Sequence, residues 1–114
     1  MICTELSSNL RAFGTALDNI KPGMVFHGFR PANLAGSVVW AEDSQDNIFG
    51  ADNTLQEFTI HGNIDYFTKA EYDETVDEIN GFLLNYKDCT ASYTSVDYED
   101  ESGLVHHNWE FWLS

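Results

Sequence analysis

The last twenty residues of the chain, Ser95–Ser114, read SVDYEDESGLVHHNWEFWLS. Two runs of strand-forming residues, Val96–Tyr98 and Leu104–Leu113, flank an acidic, serine- and glycine-bearing segment, Glu99–Gly103, which is the pattern of a β-hairpin with a short loop. Successive side chains of a strand point to opposite sides. Val105, His107, Trp109, Phe111 and Leu113 therefore share one face, and Leu104, His106, Asn108, Glu110 and Trp112 share the other. The Trp109 face is a core face. So apolar a strand is expected inside or along a sheet, and the rest of the chain has to supply its neighbours and its cover.

The cover is expected from two amphipathic helices. From Thr4 to Ile20, Leu6, Leu10, Phe13, Leu17 and Ile20 recur at helical spacing, with Thr4 or Ser7 as the cap and Lys21-Pro22-Gly23 as the stop. Gly14 lies off that stripe and weakens the helix by about 1 kcal/mol relative to alanine, unless a neighbour packs closely there. From Glu71 to Tyr86 the residues Tyr72, Val76, Ile79, Leu83 and Tyr86 form a second stripe. Thr68 opens it, and Glu71, Asp73 and Glu74 fall where the helix dipole favours negative charge.

The neighbours are expected from four further runs. Met24–Phe29 and Ser37–Asp43 read as strands separated by a loop, Arg30–Gly36. SQDNIFGADNT, rich in Asp, Asn and Gly, reads as a long exposed loop. Leu55–Phe67 alternates over its whole length, with Phe58, Ile60, Gly62, Ile64 and Tyr66 on one side; Gly62 marks a bulge or the close approach of another backbone. Thr90–Tyr98 supplies the first strand of the terminal hairpin. The predicted order is α-β-β-β-α-β-β: an α+β fold with a mainly antiparallel sheet of about five strands and two helices packed on one face, in one domain spanning 1–114.

Charge narrows the function. The chain holds 5 basic and 19 acidic residues, a formal net charge of −14. Residues 1–36 are near neutral, so the acidity sits in the remainder. Affinity for a phosphate backbone comes mainly from Lys and Arg, which disfavours a conventional nucleic-acid binder. An acidic surface serves solubility, lets DNA pass without adhesion, imitates DNA, or docks a basic partner. MICTELSSNLR holds no basic segment followed by a long apolar run, so no signal peptide or transmembrane helix is expected, and the protein is expected to be made in the cytoplasm. Cys3 and Cys89 fall in no metal-ligand or CxxC spacing and read most simply as reduced, packed thiols, with a disulfide between them as the minor alternative.

No pattern nominates catalysis. His106 and His107 are adjacent on a strand and face opposite ways, so they do not easily share one ion. Asp43–Asp52 has the composition of a calcium loop, but Ile48 stands where the sixth-position glycine belongs and Thr54 where the glutamate belongs. P-loop, GxGxxG, GxSxG and HExxH patterns are missing. The chain is expected to be a non-enzyme without cofactor or metal. Trp112 lies opposite the core face beside Leu104. It marks a subunit contact, unless the alternation slips or a loop covers it.

Three stretches, VVWAEDSQDN (38–47), HGNIDYFTKAEYDETVDEIN (61–80) and SVDYEDESGLVHHNWEF (95–111), resemble a family of small proteins from the head-to-tail morphogenesis region of phages with long, non-contractile tails. The resemblance implies a tail terminator or tail-completion protein of α+β fold. Such a protein forms a hexameric ring that caps the tail tube, ends its polymerisation and meets the head-completion or connector protein, with DNA passing through the lumen unbound. It implies a place in the virion, synthesis in the host bacterial cytoplasm, no membrane contact, and interfaces in place of an active site. The interface candidates are Trp40, Asp43, Asp46, Asp52, Glu99, Asp100, Glu101, Leu104 and Trp112. The alternative from another class is an acidic DNA mimic that inhibits a host restriction or defence enzyme.

Overall fold

The computed structural model describes residues 2–31, 34–49 and 55–114, with backbone alone at 2–5, 45–49 and 55–58. Among them run α1 (Ile2–Asp18), β1 (Val25–His27), β2 (Val38–Phe49), β3 (Leu55–Thr68), α2 (Glu74–Asn85), β4 (Cys89–Glu99) and β5 (Leu104–Leu113). The strands form one sheet in the order β1-β2-β3-β5-β4. β1 and β2 are parallel and every other pairing is antiparallel, so the expected α+β architecture and element order are observed.

Both helices lie on one face. Phe13 and Leu17 of α1 and Ile79 and Leu83 of α2 share a buried cluster with Val38, Trp40, Ile60, Ile64, Tyr66, Trp109, Phe111 and Leu113. The alternation anticipated for β3 and β5 is therefore the one the core uses. Phe13 is its hub: its ring lies 4.7 Å from Phe111, 5.3 Å from Tyr86, 5.5 Å from Trp40 and 5.6 Å from Phe82, centroid to centroid. Aromatic contacts of this kind add about 0.5–1.5 kcal/mol each beyond area burial.

Two glycines are fixed by close approach. A Cβ at Gly62 would meet the Ala41 carbonyl and stand 2.5 Å from Phe111 Cζ; β2 bulges opposite, between Glu42 and Ser44. A Cβ on Gly14 would stand 2.7 Å from Trp40 Cζ2, so the indole occupies the space that the helix leaves.

Local boundaries depart from expectation where tertiary pairing overrides propensity. The segment 44–49 is strand, not loop: β2 continues to Phe49, paired from Ser44↔His61 to Phe49↔Leu55. The ladder with β3 supplies hydrogen bonds that outweigh the poor strand preference of Ser, Gln, Asp and Asn. β1 is shorter than Met24–Phe29 because the chain turns at Gly28, with φ +90°, whose N–H donates to the Trp40 carbonyl at 2.9 Å. α1 starts before both expected caps and ends at Asp18, and Ile20 still packs on the core.

α2 starts at Glu74, not Glu71, because Asp73 and not Thr68 is its cap. The Asp73 carboxylate accepts from Thr75 N at 2.8 Å, from the Thr68 hydroxyl at 2.6 Å and from the Tyr66 hydroxyl at 2.7 Å. One side chain thus caps the helix and ties it to β3. Burial opposes its ionisation, but these three bonds hold the carboxyl down at about 2. Tyr72, expected in the helical stripe, precedes the cap and is 90% exposed.

Candidate interaction surface

The helices cover one face of the sheet. Alternation and register place Asp43, His61, Asn63, Asp65, Phe67, His106, Asn108, Glu110 and Trp112 on the other. Two histidines on it each stand between two carboxylates. His61 Nδ1 lies 2.6 Å from Asp43 Oδ1, and its Nε2 lies 4.0 Å from Glu110 Oε1. His106 Nε2 lies 2.6 Å from Asp65 Oδ1, and its Nδ1 lies 3.8 Å from Glu99 Oε2. Asn63 donates to Asp43 at 3.1 Å and Asn108 to Asp65 at 2.7 Å. The hydrogen bond from His61 is the main reason that the Asp43 carboxyl stays below its usual range.

The physical sense of the pattern is charge economy. With so few Lys and Arg in an acidic chain, imidazoles and amides are the donors available to carboxylates on neighbouring strands. These pairs are partly solvated, so each contributes on the order of 1 kcal/mol or less. The register assembles them: His61↔Trp112, Asn63↔Glu110, Asp65↔Asn108 and Phe67↔His106 are direct cross-strand partners. Sequence alternation assigns each residue to this face but not to its partner, so the pairing is not legible without the register.

Arg30 closes one end of the face. Its guanidinium lies 3.8 Å from the Phe67 ring centroid, Phe67 stacks on His106 at 4.4 Å, and Arg30 Nη1 is 3.8 Å from Glu99 Oε1. Leu104 emerges on the same side and is only 1% exposed. Covered within the subunit, it is not the subunit contact expected of it.

Trp40 also proves internal. It is 5% exposed, sandwiched edge-on by Phe13 and face-on by His27 at 4.0 Å, because β2 turns it towards the helices. It too leaves the set of interface candidates. Asp43, Asp100 and Glu101 are exposed, Glu99 is half-buried, and Trp112 is half-buried with its indole 5.2 Å from the His61 ring. Glu99–Glu101 form the acidic tip of the terminal hairpin, closed by Gly103 at φ +71°, whose N–H donates to the Glu99 carbonyl at 2.9 Å. The side chain of Asp46 and the whole of Asp52 lie outside the described residues, as does the 50–54 part of the expected Asp/Asn loop.

His106 and His107 do face opposite ways. His107 is 7% exposed on the helix side, where Nδ1 meets the Tyr93 hydroxyl at 2.7 Å and Nε2 has no hydrogen-bond partner among the described residues. Burial, and secondarily the neighbouring His106, pushes its pKa down against the pull of Asp73. Cys89 is a free thiol, and burial raises its pKa to about 11, which suits a packed and unreactive group. Among the described residues no cluster of three or more His, Cys, Asp or Glu is placed to hold a metal ion, and no helix is long and apolar enough to cross a membrane.

Hollows among the described residues lie elsewhere. One of about 620 Å³ runs between α1 and the β1–β2 edge, lined by Arg11, Asp18, His27 and Trp40 among others. His27, which lines it, pairs with Glu42 at 2.7 Å, whereas the His61 and His106 pairs lie on the opposite side of the sheet. No protein-family model matches the chain, and no curated protein matches it significantly.

Proposed function

We propose that the chain is a structural assembly subunit of a phage neck: a tail terminator whose hexameric ring caps the tail tube, ends its polymerisation and meets the head connector. The observation that carries this reading is the arm made by β2 and β3. β5 pairs with β3 only from Thr68 back to Ile60, whereas β2 and β3 continue pairing with each other to Phe49↔Leu55. The ribbon beyond the body therefore has two strands and, among the described residues, no third. Five further residues extend such a ribbon by about 17 Å. A two-stranded ribbon is marginally stable alone in water, so an arm of this kind gains its stability from a neighbouring subunit.

Three further features support the same reading. The stretches that carry the family resemblance fall on β2, on β3 through α2, and on the β4–β5 hairpin, so they are the structural frame of the sheet. The uncovered face bears Asp43, Asp65 and Glu110. Six copies, each of net charge −14, would line a passage that repels a DNA backbone and does not hold it. The work proposed is assembly without chemistry, in the virion, with the tail tube protein and the connector as partners. Co-expression with the tube protein tests it: tubes of one length capped at an end by this subunit are expected, and tubes of unregulated length that never retain it would refute the proposal.

The same carboxylate-bearing face favours a second reading, an acidic mimic of DNA that occupies the cleft of a restriction or defence enzyme. Capture from host lysate separates the two. A stoichiometric basic nuclease supports mimicry, and tube protein supports termination.

A further inference from the structure

The sheet ends on one side in β1, which has three residues, and on the other in β4, which has eleven. β4 is an edge strand, so half of its backbone N–H and C=O groups point away from β5, with no ladder partner among the described residues. Natural edges of this length are usually blunted by lysine, proline or inward charge. β4 carries none of these from Cys89 to Val96 (CTASYTSV). Its bulge between Tyr93 and Ser95 twists the edge but leaves it uncovered.

The same strand also bears an apolar stripe. Tyr93, Val96 and Tyr98 pair with Trp109, His107 and Val105, which puts all three on the helix side of the sheet, yet they are 46%, 38% and 72% exposed. A groove of about 220 Å³ between α2 and β4, lined by Val76, Asp77, Asn80, Tyr93 and Trp109, adjoins them.

We infer that β4 pairs with β4 of a second copy of this chain, antiparallel about a two-fold axis, to make a ten-stranded sheet. Charge selects the occupant. The acidity of the chain lies after residue 36, so two copies repel across the open face and the β2–β3 arm, and β4, uncharged from Cys89 to Val96, is a long edge along which two sheets can approach. The other long free edge, β2 beyond its pairing with β1 at Trp40, carries Glu42, Asp43 and Asp46 and opposes itself. An antiparallel two-fold keeps both helical layers on one side of the joint sheet, so the two Tyr93–Val96–Tyr98 stripes meet along the seam and cover one another. The pairing does not depend on the ring proposal, since it uses neither the open face nor the arm.

Sedimentation velocity of the purified full chain over a hundred-fold concentration range tests it, together with amide exchange of β4. The expected result is a monomer–dimer equilibrium in which the amides of 89–99 exchange at least ten-fold more slowly in the dimer. Ser92→Glu with Val96→Glu should weaken dimerisation at least ten-fold while the far-UV circular dichroism stays unchanged. A chain that is monomeric throughout, or a dimer whose β4 amides exchange as in the monomer, would overturn the inference. The exchange measurement needs no variant, so a misfolded double mutant leaves the test intact. Failure here leaves the ring untouched, because that is read on the tube.

Discussion

Replacing Asp73 by alanine removes three hydrogen bonds at once. Loss of an N-cap costs about 1 kcal/mol, within a range of about 0.5–2. The Tyr66 hydroxyl is then left without its acceptor on a side chain that is 1% exposed, which adds about 1–3 kcal/mol. The sum, about 2–4 kcal/mol, is a large share of the stability of a small domain and corresponds to a fall in Tm of about 10 °C or more. Asp73→Asn keeps an acceptor for Thr75 N and should cost less than half as much. Urea unfolding of both variants, with Tyr66→Phe and the double mutant, measures the coupling; about 1 kcal/mol or more is expected between Asp73 and Tyr66. Asp73→Ala within about 0.5 kcal/mol of wild type, or costs that simply add, would refute the view that this carboxylate locks α2 to β3.

The lowered pKa of Asp73 makes its contribution complete above about pH 4 and lost as pH falls from 3.8 towards 2; acid titration of stability should show a loss that is smaller in Asp73→Asn. His107 is depressed from 6.5 by burial, so the unfolded chain takes up a proton that the folded chain refuses: stability should fall as pH drops below about 6.5, and His107→Phe should flatten that slope in unfolding curves between pH 5 and 6.5. Gly62→Ala should cost about 2–3 kcal/mol or more in urea, because its Cβ meets backbone and a buried Phe111. Gly14→Ala should bring no helix-propensity gain of about 1 kcal/mol, because the methyl group meets the Trp40 ring; stabilisation would show that the indole moves aside.

Faces were legible in the sequence and registers were not. The strict alternation of β3 and β5 is enough to assign Ile60, Ile64, Trp109 and Phe111 to the core, since a strand with one buried face admits only one phase. The close approach at Gly62 was likewise legible, because a glycine amid strand formers has few other reasons to be there. Segment 44–49 was not: Ser44–Asn47 favour loops, and only the partner strand makes them a ladder. The start of α2 depended on which of several acidic residues found hydroxyl donors on β3, a tertiary fact. Leu104 and Trp40 were misassigned for one reason. Alternation states which side of a sheet a residue faces, not what already covers it: Leu104 is 1% exposed, and Trp40 is packed between Phe13 and His27. The histidine–carboxylate pairs needed both face and register, so only their composition was visible beforehand.

Electron microscopy of tubes assembled with the purified subunit tests the proposed ring on a tube end. A six-fold ring of this chain at one end, with the β2–β3 arm of each copy lying against its neighbour or the tube, is the predicted result. Single copies on the tube, or no bound subunit at saturating concentration, would contradict it.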